Sequence, residues 1–124
     1  MQTNFSRPIS DAAFDASSRK NRERLAAVIA YTEAHYSEVV TLEAVARKLH
    51  LQVNYFCYFF KKNTGMTYLQ YLNEYRLAKI YHDLVVTDIP LKYLLERHGF
   101  TNYKRFRELF YEKFQMTPST VRKK

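Results

Sequence analysis

The chain has 124 residues, a formal net charge of +8 at pH 7 and a sequence pI of about 9.6. Its hydrophobic fraction of 47% is enough for a packed interior, whereas only 2 Gly and 3 Pro argue against a turn-rich all-β fold. The excess of positive charge indicates an anionic partner, such as nucleic acid, a phosphate-rich surface or an acidic protein, unless it serves only solubility.

The N-terminal stretch is polar. Residues 1–18 are therefore predicted to form a flexible arm or linker, with one helical turn near Asp11–Ala16. The stretch has no apolar signal core, and the chain has no apolar run of membrane-spanning length. The lone Cys57 excludes an internal disulfide and fits a reducing compartment. We expect a soluble cytoplasmic chain without a membrane partner.

The first predicted helix starts at Arg19, with Ser17 or Ser18 as its cap. Its inward stripe consists of Leu25, Val28, Ile29, Thr32 and Tyr36. After a break, Thr41 is a suitable N-cap for a short helix over Leu42–Leu49. Residues 50–52 form a turn, and a longer helix follows from about Val53 to Asn63. Its inner face is aromatic (Phe56, Phe59 and Phe60), and Gly65 can end it with a positive φ.

The stretch from Tyr68 to Leu84 contains no Gly or Pro and is predicted to form one helix, roughly 25 Å long at 1.5 Å per residue. Its residues at helical spacing are Leu69, Leu72, Arg76, Ile80 and Leu84. Such a helix would act as a stiff spacer between the segments on either side of it.

Those two segments repeat each other. Gly65-Met66-Thr67 corresponds to Gln115-Met116-Thr117 at an offset of 115 − 65 = 50, while Leu42–Ala46 corresponds to Leu91–Leu95 at 91 − 42 = 49. One residue is therefore inserted in the second turn. The duplication predicts a domain over 19–124, with a first unit over 19–66, a linker helix over 67–84 and a second unit over 85–122.

Each unit consists of a short helix, a turn and a longer helix with an aromatic inner face and a polar outer face. This pattern is typical of a helix-turn-helix, whose second helix enters the DNA major groove. The alternative is an ordinary helical hairpin that packs against a neighbour. The duplication, the positive charge and the polar outer faces together favour the DNA-binding interpretation.

Several motifs occur in a defined order: Phe60-Lys61-Lys62-x-Thr64-Gly65, Tyr71-Leu72-x-x-x-Arg76-Leu77, Ile89-Pro90-x-x-Tyr93-Leu94, Gly99-Phe100, Phe106-x-x-x-Phe110 and Met116-Thr117-Pro118-x-x-x-Arg122. With them the chain resembles, over about Arg22 to Arg122, the C-terminal DNA-binding domain of the AraC/XylS family of bacterial transcription regulators. The resemblance implies an all-α fold of about seven helices, with two helix-turn-helix units joined by a long helix. It also implies sequence-specific binding of double-stranded promoter or operator DNA, in keeping with activators of transcription.

The resemblance further implies which side chains face DNA. The first recognition helix would present Asn54, Cys57, Tyr58 and Lys61, and the second would present Tyr103, Lys104, Arg107 and Glu108, with Arg105 at its flank. Because Arg and Lys recognise guanine and Glu accepts from cytosine, Lys104, Arg107 and Glu108 are the expected base readers. The charges expected on phosphates or on the free surface are Arg47, Lys61, Lys62 and the tail Arg122-Lys123-Lys124.

The chain departs from the family at four positions. Tyr58 and Glu108 occupy places where the family usually has Arg. Gln115 stands where Gly is usual, which predicts strain at that helix end, and Leu95 stands where a small residue is usual, which predicts a different packing of the second unit.

Two other functional classes are open at this stage. A protein-interaction module on the same fold would bind RNA polymerase or another regulator, and the replaced Arg positions favour it slightly. An enzyme acting through Cys57 is disfavoured, because no His is placed beside that thiol and no catalytic motif is present. The four His have no metal-ligand spacing, so no metal or cofactor is expected. We expect a non-enzymatic, monomeric chain.

Overall fold

The computed structural model describes residues 11–123, with side chains from Ser18 onward. Within that range all regular structure is helical, which confirms the predicted all-α class. The seven helices are α1 (Asp11–His35), α2 (Leu42–Lys48), α3 (Val53–Thr64), α4 (Tyr68–Val86), α5 (Leu91–Arg97), α6 (Tyr103–Phe114) and α7 (Pro118–Lys123). None of them is long and apolar enough to cross a membrane.

The start of α1 corrects the sequence prediction. The helix already includes Asp11, upstream of the predicted start at Arg19, so the proposed cap at Ser17 or Ser18 is wrong. The physical reason is that the stretch from Asp11 to Ser18 lacks Gly and Pro and is rich in Ala, the best helix former. Residues 1–10 of the predicted arm lie outside the described residues.

The two units repeat each other in the backbone as they do in sequence. The short helices α2 and α5 start 91 − 42 = 49 residues apart, whereas the longer helices α3 and α6 start 103 − 53 = 50 residues apart. Left-handed residues follow both short helices, at His50 (φ 59°) and Gly99 (φ 86°). These two residues keep the offset of 49, so the inserted residue lies between this point and the start of α6, inside the second turn as predicted.

Two hydrophobic cores share α4. Tyr68 and Leu72 at its start pack in the first core, and Leu77, Ile80 and Leu84 pack in the second. The first core is completed by Val28, Val45, Ala46 and Phe56, Phe59 and Phe60; the second by Leu94, Leu95, Phe106, Phe110 and Val121. Each Å² of buried apolar surface stabilises a fold by about 25 cal/mol. Because α4 contributes buried residues to both cores, it supports both units.

Two residues of the predicted inward stripes are exposed instead. Ile29 on α1 is 43% exposed and Leu69 on α4 is 60% exposed. Neither side chain belongs to either core, so both reach water. Helical spacing alone does not distinguish the edge of a stripe from its centre.

Arginine side chains close the ends of α1 and α4. Arg76 donates from Nε to the carbonyl of Tyr36 at 2.7 Å and from Nη2 to that of Glu38 at 2.9 Å. Arg122 on α7 donates to four carbonyls around the end of α4, the shortest contact being 2.6 Å to Ile89. The guanidinium of Arg122 is therefore occupied in the fold, and its predicted role as a phosphate or surface charge is wrong.

A hydrogen-bonded chain through buried His98 joins the two units directly. The hydroxyl of Tyr36, just beyond α1, lies 2.8 Å from Nδ1 of His98, and Nε2 of His98 lies 2.7 Å from Oδ2 of Asp83 on α4. His98 is only 5% exposed. Burial alone would raise the pKa of the Asp83 carboxyl, but hydrogen bonds from His98 and Arg97 outweigh it and bring that pKa below its usual value. The ionised carboxylate only accepts, so Nε2 of His98 carries a proton.

Candidate nucleic-acid interface

The recognition helix of the first unit is α3. Phe56, Phe59 and Phe60 recur at helical spacing and are buried, which fixes the rotation of the helix about its axis. Gly65 ends the helix in the left-handed conformation at φ 81°, as predicted. The opposite face is therefore presented to solvent by the packing of the aromatic face.

The outer face of α3 carries three of the four predicted contact residues. Asn54, Tyr58 and Lys61 are exposed, and Tyr58 is 58% exposed with its hydroxyl 3.2 Å from Nζ of Lys62. Cys57 differs from expectation, because it is half-buried and packs against the first core. Its contact with DNA remains a prediction.

The recognition helix of the second unit is α6, held by buried Phe106 and Phe110. The predicted contact residues Tyr103, Lys104, Arg105, Arg107 and Glu108 are all exposed. Two pairs order this face: Nη1 of Arg105 lies 3.3 Å from a carboxylate oxygen of Glu108, and the Arg107 guanidinium lies 5.8 Å from the ring centroid of Tyr103. Exposed pairs of this kind contribute little stability, so the side chains can reorient toward a partner.

The substitutions at family positions have visible consequences in the second unit. Gln115 ends α6 in the left-handed conformation at φ 56°, which confirms that the backbone needs a Gly-like geometry there. Its amide donates to the carbonyls of Tyr111 and Glu112 at 3.3 and 3.0 Å, which offsets part of the strain. Leu95 is buried in the second core at the place that Ala46 occupies in the first.

Part of this surface lies outside the predicted set of contact residues. Tyr111, at the position equivalent to Lys61 (111 − 61 = 50), is exposed on the outer face of α6. A groove of about 260 Å³ between α1 and α3 places Lys20 and Arg24 beside Tyr55, Tyr58 and Lys62. No local sequence signal marks this groove, because it forms only where α1 packs beside α3.

Among the residues that the structure describes, no cluster of three or more His, Cys, Asp or Glu side chains could hold an ion. What the arrangement offers is two sets of hydrogen-bonding and cationic side chains on the outer faces of α3 and α6.

Comparison with known proteins agrees with this geometry. A family model described as a helix-turn-helix domain matches residues 45–124. The chain is 33% identical over 102 residues to the HTH-type transcriptional activator RhaS of Salmonella schwarzengrund, which covers 82% of this chain and 37% of that protein. The chain thus spans little more than a third of the length of this relative.

Solved structures are also similar to this fold. The C-terminal domain of the two-component response regulator yesN from Fusobacterium nucleatum matches with a TM-score of 0.73 and 29% identity, over 82% of this chain and 98% of that one. The DNA-binding domain of the global transcriptional factor AdpA, determined in complex with a target DNA, matches with a TM-score of 0.74 and 25% identity, over 80% of this chain and 89% of that one.

Proposed function

This chain belongs to the helix-turn-helix family and is a DNA-binding domain of the AraC/XylS type, and from this premise we propose that it binds specific double-stranded DNA sites and regulates transcription. The observation that carries the proposal is the paired presentation of α3 and α6. Each is fixed by an aromatic inner face and offers a polar outer face to solvent. The net charge of +8 supports an anionic partner.

The two recognition helices have different roles in this proposal. On α6, Lys104 and Arg107 read guanine edges and Glu108 accepts from cytosine once Arg105 has released it. On α3, Asn54 reads adenine and Lys61 contacts phosphate, while Tyr58 and Cys57 make apolar contacts such as that with a thymine methyl. We therefore expect stronger base discrimination in the half-site under α6.

The wider setting is part of the same proposal. One chain carries both recognition helices, so a monomer suffices for a bipartite promoter site, and RNA polymerase is a further candidate partner. Since chromosomal DNA is the target, the proposed location is the bacterial cytoplasm. No enzymatic step is assigned, in keeping with a family of transcription regulators.

Selection from a pool of random duplexes, followed by sequencing, tests the proposal. We expect enrichment of one bipartite site, with an affinity that falls linearly on a log–log scale with salt, by several orders of magnitude over a fourfold increase if ~6–10 phosphates are contacted. The double variant Lys104→Ala/Arg107→Ala should lose the enriched bases under α6. If the wild-type chain retains no duplex even at low salt, the protein-interaction function replaces the proposed one.

A further inference from the structure

Two grooves flank the recognition helices at equivalent places in the two units. The first groove lies between α1 and α3, and the second, of about 420 Å³, lies between α4 and α6. The α3 and α6 residues that line them correspond through the internal repeat: Phe59 to Leu109 and Lys62 to Glu112, both at 109 − 59 = 112 − 62 = 50.

The two grooves differ in charge, and the equivalent positions Lys62 and Glu112 carry opposite charges. Among the side chains that the structure describes, the first groove is lined by three cations, Lys20, Arg24 and Lys62, and by no carboxylate. The second groove balances Glu74 and Glu112 against two cations, and Glu74 is paired with Lys113 at 3.1 Å. The same fold therefore presents an electropositive groove in one unit and a neutral one in the other.

Two of the three cations of the first groove, Arg24 and Lys62, lie against aromatic rings. The Arg24 guanidinium lies 5.8 Å from the ring centroid of Tyr55 and 5.7 Å from that of Phe59. Nζ of Lys62 lies 5.6 Å from the ring centroid of Tyr58 and 3.2 Å from its hydroxyl. Such contacts limit the motion of the side chains and leave their remaining donors available to an anion.

The position of the first groove indicates which kind of anion can reach it. The second groove lies between the units, because Gly65 and Met66 from the end of the first unit also line it. The repeat then places the first groove on the outer side of the first unit. Tyr58 belongs both to its wall and to the outer face of α3. A duplex held by α3 would therefore continue past the groove.

We propose that the first groove binds the phosphate backbone of the DNA that flanks the first half-site, on the side away from the second unit. This inference rests on the proposed function and extends its footprint beyond the two recognition helices. An acidic protein segment would satisfy the charge alone, but it would not require the groove to adjoin the outer face of α3.

The test compares Lys20→Gln with the wild-type chain on the selected site, in duplexes that extend about one turn beyond each half-site or are trimmed at either end in turn. Lys20 is chosen because Arg24 also packs on aromatic rings. On the full-length duplex we expect Lys20→Gln to weaken binding about three- to tenfold and to reduce the salt slope by about one. On the duplex trimmed at the end that adjoins the first half-site, wild type and variant should bind equally. Lys79→Gln, the same charge change on α4 outside both grooves, should leave binding unchanged.

Two outcomes would overturn the inference without touching the proposed function. In the first outcome, Lys20→Gln binds every duplex as tightly as wild type does. In the second, the substitution weakens binding to all duplexes equally, including both trimmed forms. The second result would assign Lys20 to a partner other than flanking DNA or to the fold. If the wild-type chain binds no duplex at low salt, the proposed function fails, and the phosphate-binding groove fails with it.

Discussion

The hydroxyl of Tyr36 hydrogen-bonds Nδ1 of His98, 62 residues further along the chain, at 2.8 Å. Their rings are also nearly parallel, with centroids 5.7 Å apart. Tyr36 follows the first helix of the first unit, and His98 ends the short helix of the second. The units therefore touch each other directly, in addition to being joined through α4.

Tyr36→Phe tests this contact with the smallest change to the side chain. The substitution keeps the ring stacking and removes only the hydroxyl, which leaves the buried Nδ1 of His98 without its partner. We expect the free energy of unfolding to fall by about 1–2 kcal/mol. Urea denaturation measures it, with Tyr93→Phe, an exposed tyrosine on α5, as the matched control. Equal and negligible effects of both variants would contradict the structural role of the contact.

Glycine substitutions separate backbone strain from close packing. Gly65 and Gly99 both have positive φ, but a Cβ at Gly65 would meet nothing within 4 Å, whereas one at Gly99 would lie 2.8 Å from the carbonyl oxygen of Tyr36. Gly65→Ala should cost about 1–2 kcal/mol of stability from the left-handed backbone alone. Gly99→Ala should cost a further 1–3 kcal/mol, roughly, from the clash. Equal thermal shifts would show that the chain near Tyr36 yields freely.

Asp83 gives the protein a defined acid sensitivity. Its carboxyl has a pKa below the usual value in the folded chain. The stabilisation is therefore present above the unfolded-state pKa of about 3.9 and is lost as the pH falls through the lower folded-state pKa. Asp83→Asn should lower the free energy of unfolding at pH 7 by about 1–3 kcal/mol, and the difference from wild type should shrink below about pH 4.

The control for that experiment is Asp88→Asn, an exposed carboxylate in the connection after α4. Denaturation curves at pH 7 and pH 3 for the three proteins are sufficient. A constant difference between wild type and Asp83→Asn at both pH values would mean that the charge of Asp83 is not the source of its contribution.

The spacing of the half-sites tests the rigidity of the pair. Two recognition helices held at a fixed separation should enter major-groove segments about one turn apart, roughly 34 Å or 10–10.5 base pairs. Inserting about 5 base pairs between the halves turns one of them to the far side, and affinity should fall to that of a single half-site. A full added turn should not restore it, because neither α4 nor the Tyr36–His98 contact can lengthen. Competition assays across this series decide the matter, and indifference to spacing would indicate loosely joined units.

The proposed base readers predict an asymmetry between the units. Lys104→Ala or Arg107→Ala should each cost about 1–3 kcal/mol on the selected site and relax the choice of one or two bases. Tyr58→Ala should cost less, since a phenol offers no bidentate pairing with a base edge. Affinities for single-base variants of the site measure this. Equal losses on every sequence would assign the α6 residues to phosphate contact.

The sequence was sufficient for the parts of the fold that depend on local periodicity and on the repeat. The predicted bounds of α2 to α4 agree with the structure within two residues, and the aromatic inner faces of α3 and α6 are buried as expected. Sequence patterns of this kind predict which face of a helix is buried, because only one rotation of the helix turns a repeated apolar stripe toward the core. The strained helix end at Gln115 was predicted from the family resemblance instead, and the structure gives that residue a left-handed conformation.

Contacts between distant polar residues could not be predicted in the same way. Asp83, His98 and Arg122 look like ordinary surface residues in a sequence, since nothing local shows that tertiary packing will exclude water from them. His98 is buried only because α5 ends against Tyr36, and Arg122 is occupied only because α7 lies across the end of α4. The charge contrast between the two grooves was missed for the same reason, as it needs α1 and α3 side by side.

The head-to-tail order of the repeat has a consequence for the orientation of the bound complex. α4 packs on the first unit as α7 packs on the second, so the units meet through different surfaces and lack the two-fold relationship of a symmetric dimer. Because the second turn has one residue more than the first, the two half-sites need not have the same base sequence. A complex of this kind is polar, because reversing the site on the DNA reverses the direction in which the N-terminal end of α1 points. For a regulator, the strand direction of its site relative to the promoter then becomes part of the signal.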